Sequence, residues 1–191
     1  MITIIKDKDP IWDVENYDVV LLGTSIYCML SGGFQSKIRF KYPIVEEKND
    51  KTKYGDRRKL GTRLTINDIN PTVSLMYIAT YPNNKRCFLD YEALENCLKT
   101  ANVEFKGKKV LSTIIGSSNF DGNGDINKCL DIIEKLTPDL NLYIYDYKQL
   151  SRQKEIQLQK KFIYSFKKSD REKYNELITL ENDLLKKLYL A

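Results

Sequence analysis

Hydrophobic and polar positions divide the chain into two parts of unlike pattern. Over residues 1–150, short apolar runs alternate with longer segments of helical period. Residues 2–5, 18–22, 73–79, 109–114 and 142–146 are of strand length and rich in β-branched or aromatic side chains. Several are apolar on both faces, as strands buried in the middle of a sheet are. Between them, residues 34–42 predict a short helix stopped by Pro43. Asp90 can cap a helix from Tyr91 to about Ala101, on which Ala93, Leu94, Cys97, Leu98 and Ala101 share one face. Residues 125–136 repeat that pattern with Ile126, Cys129, Leu130 and Ile133, ending before Thr137-Pro138. The charged stretch 46–58 reads as exposed loops. Strands alternating with helices predict an α/β layer structure.

From Ser151 the composition turns to Gln, Lys, Glu and Leu, with no glycine or proline. Ser169-Asp170-Arg171-Glu172 fits a capping box, and Leu177, Leu180, Leu184 and Leu188 then line one helical face. Ile156 with Ile163, and Phe162 with Phe166, do the same for the preceding segment. The expectation is a domain over 1–150 and a helical hairpin or extension over 151–191, packed on the domain or on a second copy of the chain.

Charge and composition narrow the chemistry. The net charge of +5 resides mainly in the tail: residues 151–191 hold ten Lys and Arg against six Asp and Glu, the first 150 residues 21 against 20. The tail's cations interleave with acids and its aromatics sit on the periodic apolar faces, so self-association or packing explains it better than nucleic-acid binding. There is no histidine among the 191 residues. That excludes Ser-His-Asp and Cys-His nucleophiles, His-ligated zinc and a histidine pH switch. Cys28, Cys87, Cys97 and Cys129 show no C-x-x-C spacing, so a zinc ribbon is not expected. No stretch reaches the ~18 apolar residues of a membrane span, and the start lacks a signal peptide's order. A cytoplasmic protein that does not enter membranes is the expectation.

Two glycine-bearing stretches lie between a predicted strand and a predicted helix. At Gly32-Gly33, bare backbone amides can approach a phosphate while the helix dipole favours an anion; a tight turn needing glycine only for its dihedrals is the alternative. The second stretch, 116–124, is rich in Gly, Ser and Asn. Two such loops at neighbouring strand ends can clasp one extended ligand. Residues 121–125 begin like a calcium loop, but Ile126 and Ile132 fall where glycine and a bidentate carboxylate are needed. No metal is implied.

Three segments in order, Gly23 to Pro43, Gly55 to Gly61 and Ile115 to Ile133, resemble the macro domain, the ADP-ribose-binding family. The resemblance is nearest to small phage macro proteins and to the branch that removes terminal ADP-ribose from glutamate. That branch reads approximately N-x-x-N-C-x-x-x-M-G-x-G-I-A, a basic helix ending K-Y-P, G-D-x-x-x-G, a D-Y-E-A-L helix, an I-G-C-G loop and a V-Y-D-L strand end. This chain supplies Leu30-Ser31-Gly32-Gly33-Phe34, Lys41-Tyr42-Pro43, Asp90-Tyr91-Glu92-Ala93-Leu94, Ile115-Gly116 and Ile144-Tyr145-Asp146. The match covers residues 1 to about 147.

The resemblance implies a three-layer α/β/α fold with a mixed central sheet, no cofactor, and ADP-ribose or an ADP-ribosylated substrate as partner. It also implies hydrolysis of a bond at the distal ribose, with a catalytically silent binding module as the alternative. Ser31, Gly32, Gly33 and Phe34 would hold the diphosphate. Gly116, Ser117, Ser118, Asn119 and Phe120 would line the diphosphate and distal ribose. Asp9, or Asp7 two residues away, would take the adenine amino group, and Tyr147 would stack on the base. The family's two asparagines, which orient the distal ribose and the scissile bond, fall on Leu22, which offers no hydrogen bond, and on Ser25, which can still donate one and is a catalytic candidate. Asp121 matches the family's catalytic aspartate, and Lys85 lies within a short shift of its nucleophilic lysine; a solvated loop lysine is the other reading of Lys85. Carboxylate and lysine need no histidine.

Overall fold

The apolar runs become the strands of one seven-stranded mixed sheet. In chain order these are β1 (Ile2–Lys6), β2 (Val19–Ser25), β3 (Arg63–Ile66), β4 (Thr72–Thr80), β5 (Phe88–Leu89), β6 (Lys109–Thr113) and β7 (Asn141–Asp146). The helices are α1 (Gly33–Lys41), α2 (Pro43–Asp50), α3 (Tyr91–Glu104) and α4 (Ile126–Leu136). A computed structural model describes residues 1–6, 8–30, 32–80, 87–118 and 121–146, which lie in a unit running from Met1 to Tyr147. Asp7, Ser31, Lys85, Asn119, Phe120, Tyr147 and the segment 151–191 lie outside the described residues.

The strand order is β1-β7-β6-β2-β4-β3, with β5 also on β4. β1, β7, β6, β2 and β4 run parallel; β3 and β5 are antiparallel to β4. Alternate residues along each strand face opposite sides, and both sides are covered. On one side Val19, Leu21, Met76, Ile78, Val110, Leu142 and Ile144 join Leu94, Cys97, Leu98 and Ala101 of α3 and Cys129 and Ile133 of α4 in a single apolar cluster. On the other side lie Val20, Leu22, Val73 and Leu75, all buried. There Tyr77 donates its hydroxyl to Asn49 Oδ1 of α2 at 2.8 Å. The unbroken burial of β2 and of residues 73–79 in β4 follows from this double cover. Among the described residues no helix is long and apolar enough to cross a membrane.

Helix starts follow from local chemistry. Asp90 caps α3 by accepting from the Ala93 amide at 2.9 Å, and Asp125 caps α4 by accepting from the Lys128 amide at 2.8 Å. Two stretches differ from the sequence expectation. The charged region 46–58 is not all loop: α2 covers Pro43–Asp50 and buries Val45 and Asn49 completely. Pro43 ends α1 but also opens α2, because a missing amide costs nothing in a helix's first turn. β3 has only four residues, and Arg63 interrupts its pattern. Its guanidinium bonds Ser74 at 3.0 Å and Thr100 at 2.9 Å and pairs with Glu104, tying β3 to β4 and α3.

Candidate functional site

The connections fix where a ligand can enter. The chain leaves β2 through α1 and α2 towards β4 on one side, and leaves β6 through α4 towards β7 on the other. The strand order therefore reverses between β2 and β6, and the two following helices lie on opposite faces. Open parallel sheets form a ligand crevice at such a point, outside the carboxyl ends of the strands. β2 and β6 pair only from Val19–Leu21 to Val110–Ser112 and then part. Both glycine stretches open from these two strand ends.

The first loop ends in a helix start built from two glycines. The N-cap of α1 is Gly32, which has no side chain to cap the helix, and its first residue is Gly33. Gly33 has φ of 54°, a conformation that other residues adopt at a cost. The first-turn amides of α1 thus gain no acceptor from the N-cap residue, and the helix dipole adds partial positive charge there. The preceding turn holds itself together: Ser25 Oγ accepts from the Tyr27 amide at 3.3 Å, and Thr24 Oγ1 donates to the Met29 carbonyl at 3.0 Å. Ser25 is fully buried where β2 bulges between Thr24 and Ser25. Leu22 is core. Phe34 is buried as the second residue of α1.

The second loop is closed on its own carboxylate. Asp121 Oδ2 accepts from the Gly116 amide at 2.9 Å, and Oδ1 accepts from the Ser118 amide at 2.8 Å and the Ser118 hydroxyl at 2.7 Å. The Ser117 hydroxyl donates to the Ile114 carbonyl at 2.7 Å, and the Ser118 carbonyl takes the Asn123 amide at 2.7 Å. The side chain of Asp121 is almost wholly buried, and desolvation pushes its pKa up to about 6 against the pull of these hydrogen bonds. Gly23 of β2 is small for the same reason: a Cβ there would lie 3.0 Å from Asp121 Oδ2 and 2.8 Å from Ile78 Cδ1.

Asp9 follows β1 at the same end of the sheet. Its Oδ1 accepts from the Ile11 amide at 3.1 Å, capping a short 3-10 turn, Pro10–Trp12. Its Oδ2 pairs with Lys37 Nζ of α1 at 2.5 Å, both side chains being buried. The ion pair draws the edge of the sheet towards the helix that carries the open amides. Among the described residues no group of three or more Cys, Asp and Glu could hold a metal ion.

Comparison with solved structures decides the fold. No protein-family model matches the chain, and no curated protein matches it by sequence. The macrodomain of Thermus aquaticus DarG superposes with a TM-score of 0.60 at 9% identity, over 77% of this chain and 99% of that one. The chain has the macrodomain fold. Thermosipho africanus DarTG in complex with ADP-ribose gives a TM-score of 0.59 at 10% identity, over 82% of this chain and 44% of that one. A Trypanosoma brucei macrodomain in complex with ADP-ribose gives 0.50 at 11% identity, over 74% of this chain and 62% of that one.

Of the residues singled out from sequence, the structure gathers Gly32, Gly33 and Phe34 at one strand end and Gly116, Ser117, Ser118 and Asp121 at the next, with Asp9 beyond. Sequence reasoning passed over Gln35 and Lys37. Lys37 carries a charge into the interior, which an apolar pattern does not reveal. Gln35 follows the glycine pair and is buried; a polar residue beside a helix's apolar stripe was the available signal.

Proposed function

We propose that the chain binds ADP-ribose or an ADP-ribosyl group in the crevice between β2 and β6. The observation that carries this reading is the glycine-capped, glycine-built start of α1 at the sheet's reversal point, within a fold whose neighbours include two ADP-ribose complexes. In this reading the diphosphate takes the first-turn amides around Gly33 and Phe34. The adenine lies towards Asp9, whose carboxylate oxygens keep lone pairs beyond those used by Ile11 and Lys37. The distal ribose lies towards the second loop, where Gly116, Ser117 and Ser118 form a wall. Calorimetric titration with ADP-ribose tests it. Saturable heat supports binding, and no heat at millimolar ligand overturns it.

A second reading adds hydrolysis at the distal ribose, in keeping with the resemblance to phage macro proteins and to the glutamate-deribosylating branch, and with a cytoplasmic site of action. The favouring observation is Asp121: a buried acid held to about 6 can exchange a proton near neutrality. Release of free ADP-ribose from an ADP-ribosylated protein would be followed for the wild type and Asp121→Asn. Turnover lost while ADP-ribose still binds supports an acid-base role. Equal turnover in both removes Asp121 from the chemistry.

A further inference from the structure

Where β2 and β6 part, one buried amide is half satisfied. The Leu21 carbonyl accepts from the Ser112 hydroxyl of β6 at 3.2 Å, so it faces the β6 side. Carbonyls two residues apart on a strand point the same way, which turns the Gly23 carbonyl into the gap beyond the last β2–β6 pair. Gln35, the third residue of α1, meets it there: Nε2 donates to the Gly23 carbonyl. This bond fixes the amide's orientation, because the flipped amide would set oxygen against oxygen. Gln35 is 6% exposed, and among the described residues its Oε1 has no hydrogen-bond partner. A buried acceptor without a donor is costly, and a specific one calls for an explanation.

We propose that Gln35 Oε1 is a ligand-positioning acceptor, taking a hydroxyl hydrogen from the sugar beyond the diphosphate. The inference rests on the ADP-ribose reading and adds which group of that ligand is read. The donor must come from the ligand's sugar: phosphate oxygens at neutral pH carry no proton to give, and the adenine amino group lies at the far end, towards Asp9. Gln35 follows directly on Gly33 and Phe34 and sits on the β2–β6 side, so the sugar within reach is the distal one. A ligand that stops at the second phosphate leaves Oε1 as it is; one that continues into a ribose satisfies it.

The test is a cycle of two ligands and two proteins, with ADP-ribose and ADP titrated into the full chain as wild type and Gln35→Met. The wild type is expected to prefer ADP-ribose, and Gln35→Met to lose about tenfold for ADP-ribose while its ADP affinity stays level, a loss typical of one buried hydrogen bond. A merely structural Gln35 would weaken both ligands alike, and that result, or no change for either, overturns the proposal while leaving the ADP-ribose reading intact. A wild type that binds neither ligand overturns both. If Gln35→Met fails to melt cooperatively, Gln35→Asn, which keeps the amide but withdraws it by one carbon, takes its place with the same expected split.

Discussion

The loops after β2 and β6 both carry glycines between a strand and a helix, yet their hydrogen bonding is opposite. The β2 loop closes its turn with Ser25 and Thr24 and then delivers a helix start whose N-cap, Gly32, has no side chain to cap it, with an acceptor at Gln35 that has no partner among the described residues. In the β6 loop the groups turn inward: Asp121 takes the Gly116 and Ser118 amides, and the Gly116 carbonyl takes the Gly124 amide at 2.8 Å. Glycine serves different ends in the two. At Gly33 it supplies a left-handed conformation beside an open cradle. In the second loop it makes room under Leu89, where a Cβ on Gly124 would lie 2.5 Å from Leu89 Cδ2. A glycine-rich strand-to-helix loop is therefore an anion site only where nothing within the chain has taken its amides.

The sharpest way to break that contrast is to add a methyl group to the closed loop. Gly122 has φ of 152°, and a Cβ there would lie 2.6 Å from Leu89 Cβ and 2.9 Å from the Gly116 carbonyl oxygen. Backbone strain and overpacking together predict that Gly122→Ala loses about 4 kcal/mol of stability. Urea denaturation measures it, and a loss below about 1 kcal/mol would mean that the loop is not held as described.

A smaller effect comes from the carboxylate inside that loop. An unfolded aspartate has a pKa of 3.8, whereas folding raises that of Asp121 to about 6. The folded state therefore holds the proton more tightly than the unfolded one. The stability Asp121 contributes is complete below the unfolded value and is lost as pH rises through about 6. The expected change across that window is on the order of 3 kcal/mol. Burial raises the Asp13 carboxyl, but hydrogen bonds to Lys8 and Tyr145 together with the charges of Lys8 and Lys109 hold it below the ordinary carboxylate value, and its contribution runs the other way, fading in acid. The comparison must therefore be of wild type with Asp121→Asn. Melting temperatures from pH 4 to 7 should fall with rising pH more steeply in the wild type than in the variant; parallel curves would remove the buried acid from the account.

Much of this was legible in the chain. The strands at 18–22, 73–79, 109–114 and 142–146 were readable because their apolar runs answer to two covered faces, and the caps at Asp90 and Asp125 because N-capping is local. α2 was not, since Pro43 closes one helix and opens the next with only Tyr42 between them. β3 was not, because its place depends on pairing with β4 and on Arg63 reaching α3. At the site, the glycine positions are written in the sequence, but which amides are open depends on where Asp121 and Gln35 point. That is a tertiary outcome with no periodic signature.

The mildest prediction is the counterpart of the first and concerns the open loop. At Gly33 the left-handed φ of 54° argues against a side chain, so Gly33→Ala is expected to lose about 1 kcal/mol in the same denaturation experiment. The larger consequence should appear in binding, because a residue that resists that φ turns the first amides of α1 away from a shared anion. ADP-ribose titration should then show weakened affinity in Gly33→Ala, out of proportion to its small loss of stability. Gly122→Ala should instead lose stability first, with affinity following only as folded protein is lost. If the two variants behaved alike, the division of labour between the open and the closed loop would fail, since it rests on one set of amides being available and the other being held by Asp121.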